Sequence, residues 1–302
     1  MSRKNFKKNK FSFLKILFYL IITAIVADLA WYFFVVDIKQ YEKKNPTKTA
    51  FMKYRERQWE EKKRTIKIRR QWVPLGSISS EARRAIVVAE DGKFWRHDGF
   101  DFDAMRNAME KNLKKRKMAL GASTITMQVA KNMFLSPSKT PVRKINEAIL
   151  TWRMERALSK RRILELYLNI AEWGDGIFGI EVASQTYFHH SAAQLNKREA
   201  SLLAAVLPNP IRFNPLSGSR FVERRSRLIC RALGGDVDAA IALHSNDITS
   251  QQLIDTGKTS ANDTFQVKEP DTVSGYDDTT DTAAHLQSKP ISNVDSASSV
   301  SE

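Results

Sequence analysis

The stretch Glu90-Asp91-Gly92-Lys93-Phe94-Trp95-Arg96-His97-Asp98-Gly99, followed by Gly121-Ala122-Ser123-Thr124-Ile125-Thr126-Met127-Gln128 and by Arg143-Lys144-Ile145-Asn146-Glu147, decides how this chain reads. Ahead of it, Ala82, Ala85, Ile86 and Ala89 recur at helical spacing after Ser79-Ser80-Glu81, so a helix runs into Glu90. Two acids, Glu90 and Glu147, bracket a cluster of hydroxyls, amides and cations. Such a set suits sugar chemistry, in which one carboxylate handles the proton of an attacking hydroxyl and other groups hold charge on a leaving oxygen. Lys131, Arg143 and Lys144 lie in the same stretch, and a base beside a basic clamp fits a phosphate-bearing donor better than a neutral glycoside. Each part alone has a plainer reading. Glu90 can be a helix-end acid, His97 a residue that shapes its loop by hydrogen bonding, Ser123 a helix N-cap, and Arg143 with Glu147 a surface i, i+4 pair.

Outward from this region the pattern is helical. From Ser123 to Phe134, Ile125, Val129 and Met133 fall on one side and Thr124, Gln128 and Lys131 on the other. From Pro141 to Leu158 the spacing predicts a core face of Ile145, Ile149 and Trp152, with Arg143 and Glu147 on another. Lys160 to Trp173 carries a wide apolar stripe of Ile163, Leu164, Tyr167 and Leu168 before Gly174, Gly176 and Gly179. Further helices are predicted from about Glu181, from Lys197 to Leu207, and from Arg220 to Leu233, the last two stopped by Pro208-Asn209-Pro210 and Gly234-Gly235. Thr65 to Val73 reads as a short strand ending at Pro74, and no strand-rich region is expected after it. The body is therefore expected to be mainly α.

The chain of 302 residues has a formal net charge of +16, but that average conceals two parts. Residues 235–302 hold 12 acidic and 3 basic residues, which leaves 46 basic and 21 acidic residues in the first 234. A basic body is compatible with nucleic acid, an anionic membrane surface or an anionic substrate, and charge alone does not choose. The single cysteine, Cys230, excludes an intramolecular disulfide and a Cys-rich metal site, and reads as a small core residue. From Ile16 to Val36 run 21 residues with one charge, Asp28. As a helix they measure about 31 Å, close to the hydrocarbon core of a bilayer. Arg3, Lys4, Lys7, Lys8, Lys10 and Lys15 favour a cytoplasmic N-terminus, and Trp31 to Phe34 resemble an interfacial belt. The organisation expected is thus a basic N-terminus over 1–15, an uncleaved anchor over 16–36, a polar juxtamembrane stalk over 37–64, a catalytic body over 65–234, and an acidic, largely disordered tail over 235–302. Asp28 reads as an interfacial residue or one facing a helix partner. Met118-Ala119-Leu120 and Met133-Phe134-Leu135 are candidate patches for the membrane interface, the second also for the core.

From about Trp72 to Leu233 the chain resembles the membrane-anchored peptidoglycan glycosyltransferase family, its monofunctional biosynthetic branch in particular, which also supplies the polymerase domain of bifunctional penicillin-binding proteins. Glu90, Asp91, Phe94, His97 and Gly99 match the first family motif. Gly121 to Gln128 with Lys131 and Asn132 match the second, and Arg143, Lys144 and Glu147 the third. Lys160, Ile163, Leu164, Glu165, Tyr167, Leu168 and Asn169 match the fourth. Asn209-Pro210 and the arginines 224, 225 and 227 resemble the fifth. Ala122 and Met127 depart from the second motif, and Met127→Gln is expected to be neutral or mildly activating.

The resemblance implies a lysozyme-like helical glycosyltransferase domain behind an N-terminal transmembrane helix in the bacterial inner membrane, with the catalytic domain in the periplasm. It implies polymerisation of lipid II into β-1,4-linked glycan with inversion and release of undecaprenyl diphosphate. Glu90 would be the general base and Glu147 the catalytic partner on the donor side. Lys131, Arg143 and Lys144 would neutralise the diphosphate. Ser123, Thr124, Gln128, Asn132, His97 and Asp91 complete the substrate-binding set. No cofactor is obligatory on this reading, and a divalent cation, Mg or Mn, at the diphosphate is optional, with its ligands unknown. The partners implied are lipid II, the lipid-linked glycan strand, the membrane, and proteins of cell-wall synthesis and division; nucleic acid is not one. The alternatives are a membrane-anchored lytic enzyme, which needs one acid and no cation clamp, and a basic membrane-tethered scaffold.

Overall fold

Ser79 caps the helix that delivers Glu90: its hydroxyl accepts from Ala82 N at 3.0 Å, and α3 runs Ser80–Glu90 with Ala82, Ala85, Ile86 and Ala89 buried. The computed structural model describes residues 3–115, 122–138 and 140–245, and the chain it describes is mainly helical. Before α3 come α1 (Arg3–Ala30), α2 (Ala50–Glu61) and the two-residue strand β1 (Arg69–Arg70). After it follow α4 (Phe102–Lys115), α5 (Ile125–Phe134), α6 (Pro141–Ala157), α7 (Lys160–Ile170), β2 (Glu172–Gly174), β3 (Ile177–Phe178), α8 (Ile180–Phe188), α9 (Lys197–Val206), α10 (Arg220–Leu233) and α11 (Val237–Ser245). The core lies where α9 packs on α3 and α10, and where α5 packs between α6 and α7. α7 buries Ile163, Leu164, Leu166, Leu168 and Ile170, and each such side chain contributes about 1.5–3 kcal/mol of burial free energy.

Three expectations from the sequence are corrected. Residues 37–64 are built into the body and are not a free stalk. Ile38, Met52 and Trp59 lie in the core, and Arg55 donates to Glu172 Oε1 and Asp175 Oδ1, both at 2.9 Å. Arg55 is thus met by partners far along the chain, so it reads as solvated when it is not. As expected, no strand-rich region follows Val73 among the described residues: β1 pairs parallel with β3, and β3 antiparallel with β2, in a sheet of very short strands. The turn between β2 and β3 requires Gly176, with φ at +77° and Lys67 O only 2.9 Å from where a Cβ would stand. On α6 the core face is Asn146, Glu147, Leu150, Thr151 and Met154, while Ile145 and Trp152 are exposed. Residues 237–245, expected at the start of a disordered tail, form α11, which packs on α10 and α3 with Ala239 and Leu243 buried. The rest of the expected tail, from 246, lies outside the described residues.

The apolar segment Leu14–Val35, 22 residues of mean hydropathy 2.0, has no part of its most apolar window buried and is long enough to cross a membrane. Its helix ends in a π-turn over Trp31–Val35. Of the two candidate interface patches, Met133 and Leu135 are buried in the core; residues 118–120 lie outside the described residues. Cys230, expected in the core, is half-buried.

Candidate active site

The loop after α3 is stitched to the start of α5 by Asp91. Its Oδ1 accepts from His97 Nε2 at 2.8 Å and its Oδ2 accepts from the backbone N–H of Ile125 at 3.0 Å. A carboxylate at the first turn of a helix meets open N–H groups and the positive end of the helix dipole. His97 Nδ1 accepts from Gly99 N at 3.1 Å, so this network assigns the proton to Nε2 and leaves the ring neutral. Gly99 has φ +89°, and its carbonyl accepts from Thr124 Oγ1 at 2.7 Å. Thr124, one residue beyond the expected Ser123, is the N-cap of α5 and accepts from Met127 N at 3.2 Å. Asp91, His97 and Thr124, read from the sequence as substrate-binding, join Glu90 to the start of α5 through these bonds, and Asp91 and Thr124 also line the cavity beside Glu90.

Glu90 is the last residue of α3 and is gripped from two sides. Gln128 Nε2 donates to its Oε2 at 3.0 Å, and Arg225 Nη2 donates to its Oε1 at 3.3 Å. Gln128 is itself fixed, since the Tyr167 hydroxyl donates to its Oε1 at 3.2 Å. Burial first, and the nearby charge of Glu90 second, push the Tyr167 phenol well above its ordinary pKa, so it remains a donor. The arrangement holds one carboxylate in one orientation, as a general base requires.

Glu147 is different. It is 2% exposed, Arg143 Nη1 donates to one oxygen at 2.6 Å, and Lys144 Nζ donates to the other. Each oxygen accepts from one cation, so Glu147, expected to be the catalytic partner on the donor side, holds Arg143 and Lys144 in place. Lys131 lies within electrostatic reach of both half-sites. Desolvation pulls its ammonium below the usual lysine range, the charges of Glu147 and Glu90 oppose that, and Arg143 and Lys144 reinforce it. Among the described residues no hydrogen bond ties Asn132 to either carboxylate, and no group of three or more His, Cys, Asp or Glu side chains is placed to hold a metal ion.

Beside Glu90 opens a cavity of about 500 Å³ whose walls include Glu90, Lys93, Ser123, Ile241 and His244. The sequence reading did not place α11 here, and nothing in its short Ala/Ile/Leu pattern points to a site. Tyr167 and Arg225 were recognised within motifs but not as members of the Glu90 grip. For Arg225 a signal existed: α10 buries Val222, Ser226, Ile229 and Leu233, and Arg225 is the one cation among its buried residues.

The family model described as Transglycosylase matches residues 58–233. The chain is similar to proteins named biosynthetic peptidoglycan transglycosylase. That of Nitrosospira multiformis is 45% identical over 185 residues, which span 61% of this chain and 80% of the relative. That of Aromatoleum aromaticum is 46% identical over 187 residues, 62% of this chain and 81% of the relative. That of Janthinobacterium sp. (strain Marseille) is 42% identical over 221 residues, 72% of this chain and 95% of the relative.

Proposed function

This chain belongs to the transglycosylase family, and from that premise we propose that it is a peptidoglycan glycosyltransferase that polymerises lipid II at the outer face of the bacterial inner membrane, held there by Leu14–Val35. The observation that carries the reading is the contrast between the two acids: Glu90 held by Gln128 and Arg225 beside a cavity, and Glu147 committed to two cations.

In this reaction Glu90 takes the proton from the acceptor sugar's 4-hydroxyl as that oxygen attacks C1 of the donor. The bond from C1 to the diphosphate breaks on the opposite side, so an α-linked donor gives a β-1,4 product. Negative charge passes to the leaving diphosphate, where Lys131, Arg143 and Lys144 receive it; fixed cations aimed at developing charge stabilise a transition state without rearranging. No protonated acid is needed at the leaving group, which distinguishes this site from the two-carboxylate pair of a glycosidase. Both Glu147 oxygens accept from Arg143 and Lys144, and a divalent ion, where one serves, would be held chiefly by the diphosphate oxygens.

The test is purified full-length protein with lipid II in phospholipid vesicles. Polymer of increasing length supports the reading. Digestion of preformed glycan without polymerisation would establish a lytic enzyme, and binding without turnover a scaffold; either would overturn it.

A further inference from the structure

Asp28 stands seven residues before the end of Leu14–Val35, roughly 10 Å inside that end at 1.5 Å per residue. An acid within an apolar span is costly unless it meets a partner, and such residues mark function more often than chance. Its partner here is not in the anchor. Asn146 Nδ2, on α6, donates to Asp28 Oδ2 at 2.6 Å. Asn146 is 3% exposed and directly precedes Glu147, the residue that arranges the Arg143 and Lys144 cations. Two further contacts continue along the same pair of elements. Arg153 Nη1 donates to Tyr32 O at 2.7 Å, within the π-turn Trp31–Val35, and the Trp152 ring stacks on Phe33 at 5.9 Å with an interplanar angle of 16°.

These contacts fix a height. For Asn146 to touch Asp28, the N-terminal half of α6 must sit at the membrane, below the outer end of the span. That explains why the apolar side chains of Ile145 and Trp152 remain partly exposed on α6. We infer that Asp28 is a positioning residue: through Asn146 it sets the depth of α6, and so holds the cation clamp of Arg143 and Lys144 level with the diphosphate of a lipid-borne substrate. The inference rests on the lipid-diphosphate reading given above. The clamp's partner is confined to one plane by its own lipid, so a displaced clamp meets it less often and less well.

The experiment uses full-length protein in phospholipid vesicles containing lipid II, comparing wild type with Asp28→Leu, Asp28→Asn, Asn146→Leu and the double variant Asp28→Leu/Asn146→Leu. Interhelical hydrogen bonds in membranes support an effect of about 3- to 20-fold. Asp28→Leu should raise KM for lipid II by that factor with kcat within about twofold, the signature of lost binding that is common to ground and transition states. Asp28→Asn, which keeps a hydrogen-bonding side chain, should restore KM, and the double variant should be no worse than either single one. In detergent micelles, where no bilayer sets a depth, the variants should match wild type. An unchanged KM in vesicles would overturn the inference, as would equal losses in vesicles and micelles accompanied by a lower melting temperature, which mark a contact that only stabilises the fold. Co-sedimentation of every variant with salt-washed vesicles separates this from the anchor. Wild type that fails to sediment contradicts the membrane placement, and wild type that sediments without making polymer contradicts the polymerase reading.

Discussion

Gln128→Ala separates the catalytic part of the Glu90 grip from its structural part. The substitution removes the amide that donates to Glu90 Oε2 at 3.0 Å, and it also removes the acceptor for the Tyr167 hydroxyl at 3.2 Å. A hydrogen bond to a charged group contributes about 1.5–3 kcal/mol, so a base released from that bond should lose roughly 10- to 150-fold in kcat at about 1.36 kcal/mol per decade. Tyr167 is 1% exposed, and its stranded hydroxyl should cost a further 1–3 kcal/mol or so of stability. The second loss is repairable and the first is not. Tyr167→Phe in the Gln128→Ala background removes the unsatisfied hydroxyl and should recover about half or more of the lost stability in urea melts, with kcat still low. Steady-state lipid II polymerisation and equilibrium unfolding on wild type, Gln128→Ala, Tyr167→Phe and the double variant give the complete cycle. Gln128→Ala with kcat within about twofold of wild type, or a double variant that regains kcat together with stability, would refute the claim that Gln128 orients the base.

Three further perturbations follow from the same contacts. Glu147→Gln removes the largest influence raising the pKa of Lys131 against desolvation, so Lys131 should lose its proton at lower pH and the alkaline limb of the kcat/KM profile should move towards neutrality. Met127 is 2% exposed, so Met127→Gln, expected to be neutral or mildly activating in polymerisation, should cost about 1–3 kcal/mol in thermal unfolding unless the buried amide finds partners. Burial raises the Glu172 carboxyl to about 7, against the pull of Arg55. A carboxyl raised on folding stabilises the fold fully below its unfolded value near 4.5, and that contribution is lost as pH rises through about 7. It amounts to the order of 3 kcal/mol, and Glu172→Gln should flatten the fall in stability measured between about pH 5 and 8.

The parts of this chain legible in its sequence are those whose spacing answers to the immediate neighbourhood. Ser79 and the apolar positions of α3 announce a helix ending at Glu90, and the hydroxyl-amide-ammonium face of α5 announces Gln128 and Lys131 together. Errors came where the partner is distant or is not protein. Ile145 and Trp152 look like a core stripe because apolarity does not distinguish a core from a membrane anchor, and Phe33 of that anchor is what Trp152 meets. Arg55 looks solvated because Glu172 and Asp175, which neutralise it, are more than a hundred residues away. The two acids of the site are already unequal in the sequence, Glu90 as base and Glu147 on the donor side, and the structure adds the cations on both oxygens of Glu147.

That inequality is the central claim, and Glu90→Gln tests it most directly, because the amide keeps the shape of the side chain and removes its basicity. With full-length protein in vesicles, the rate of polymer formation should fall by about 100- to 10,000-fold, while lipid II binding stays close to wild type. Polymerisation retained by Glu90→Gln would show that another group takes the proton and that the roles of the two carboxylates have been wrongly assigned.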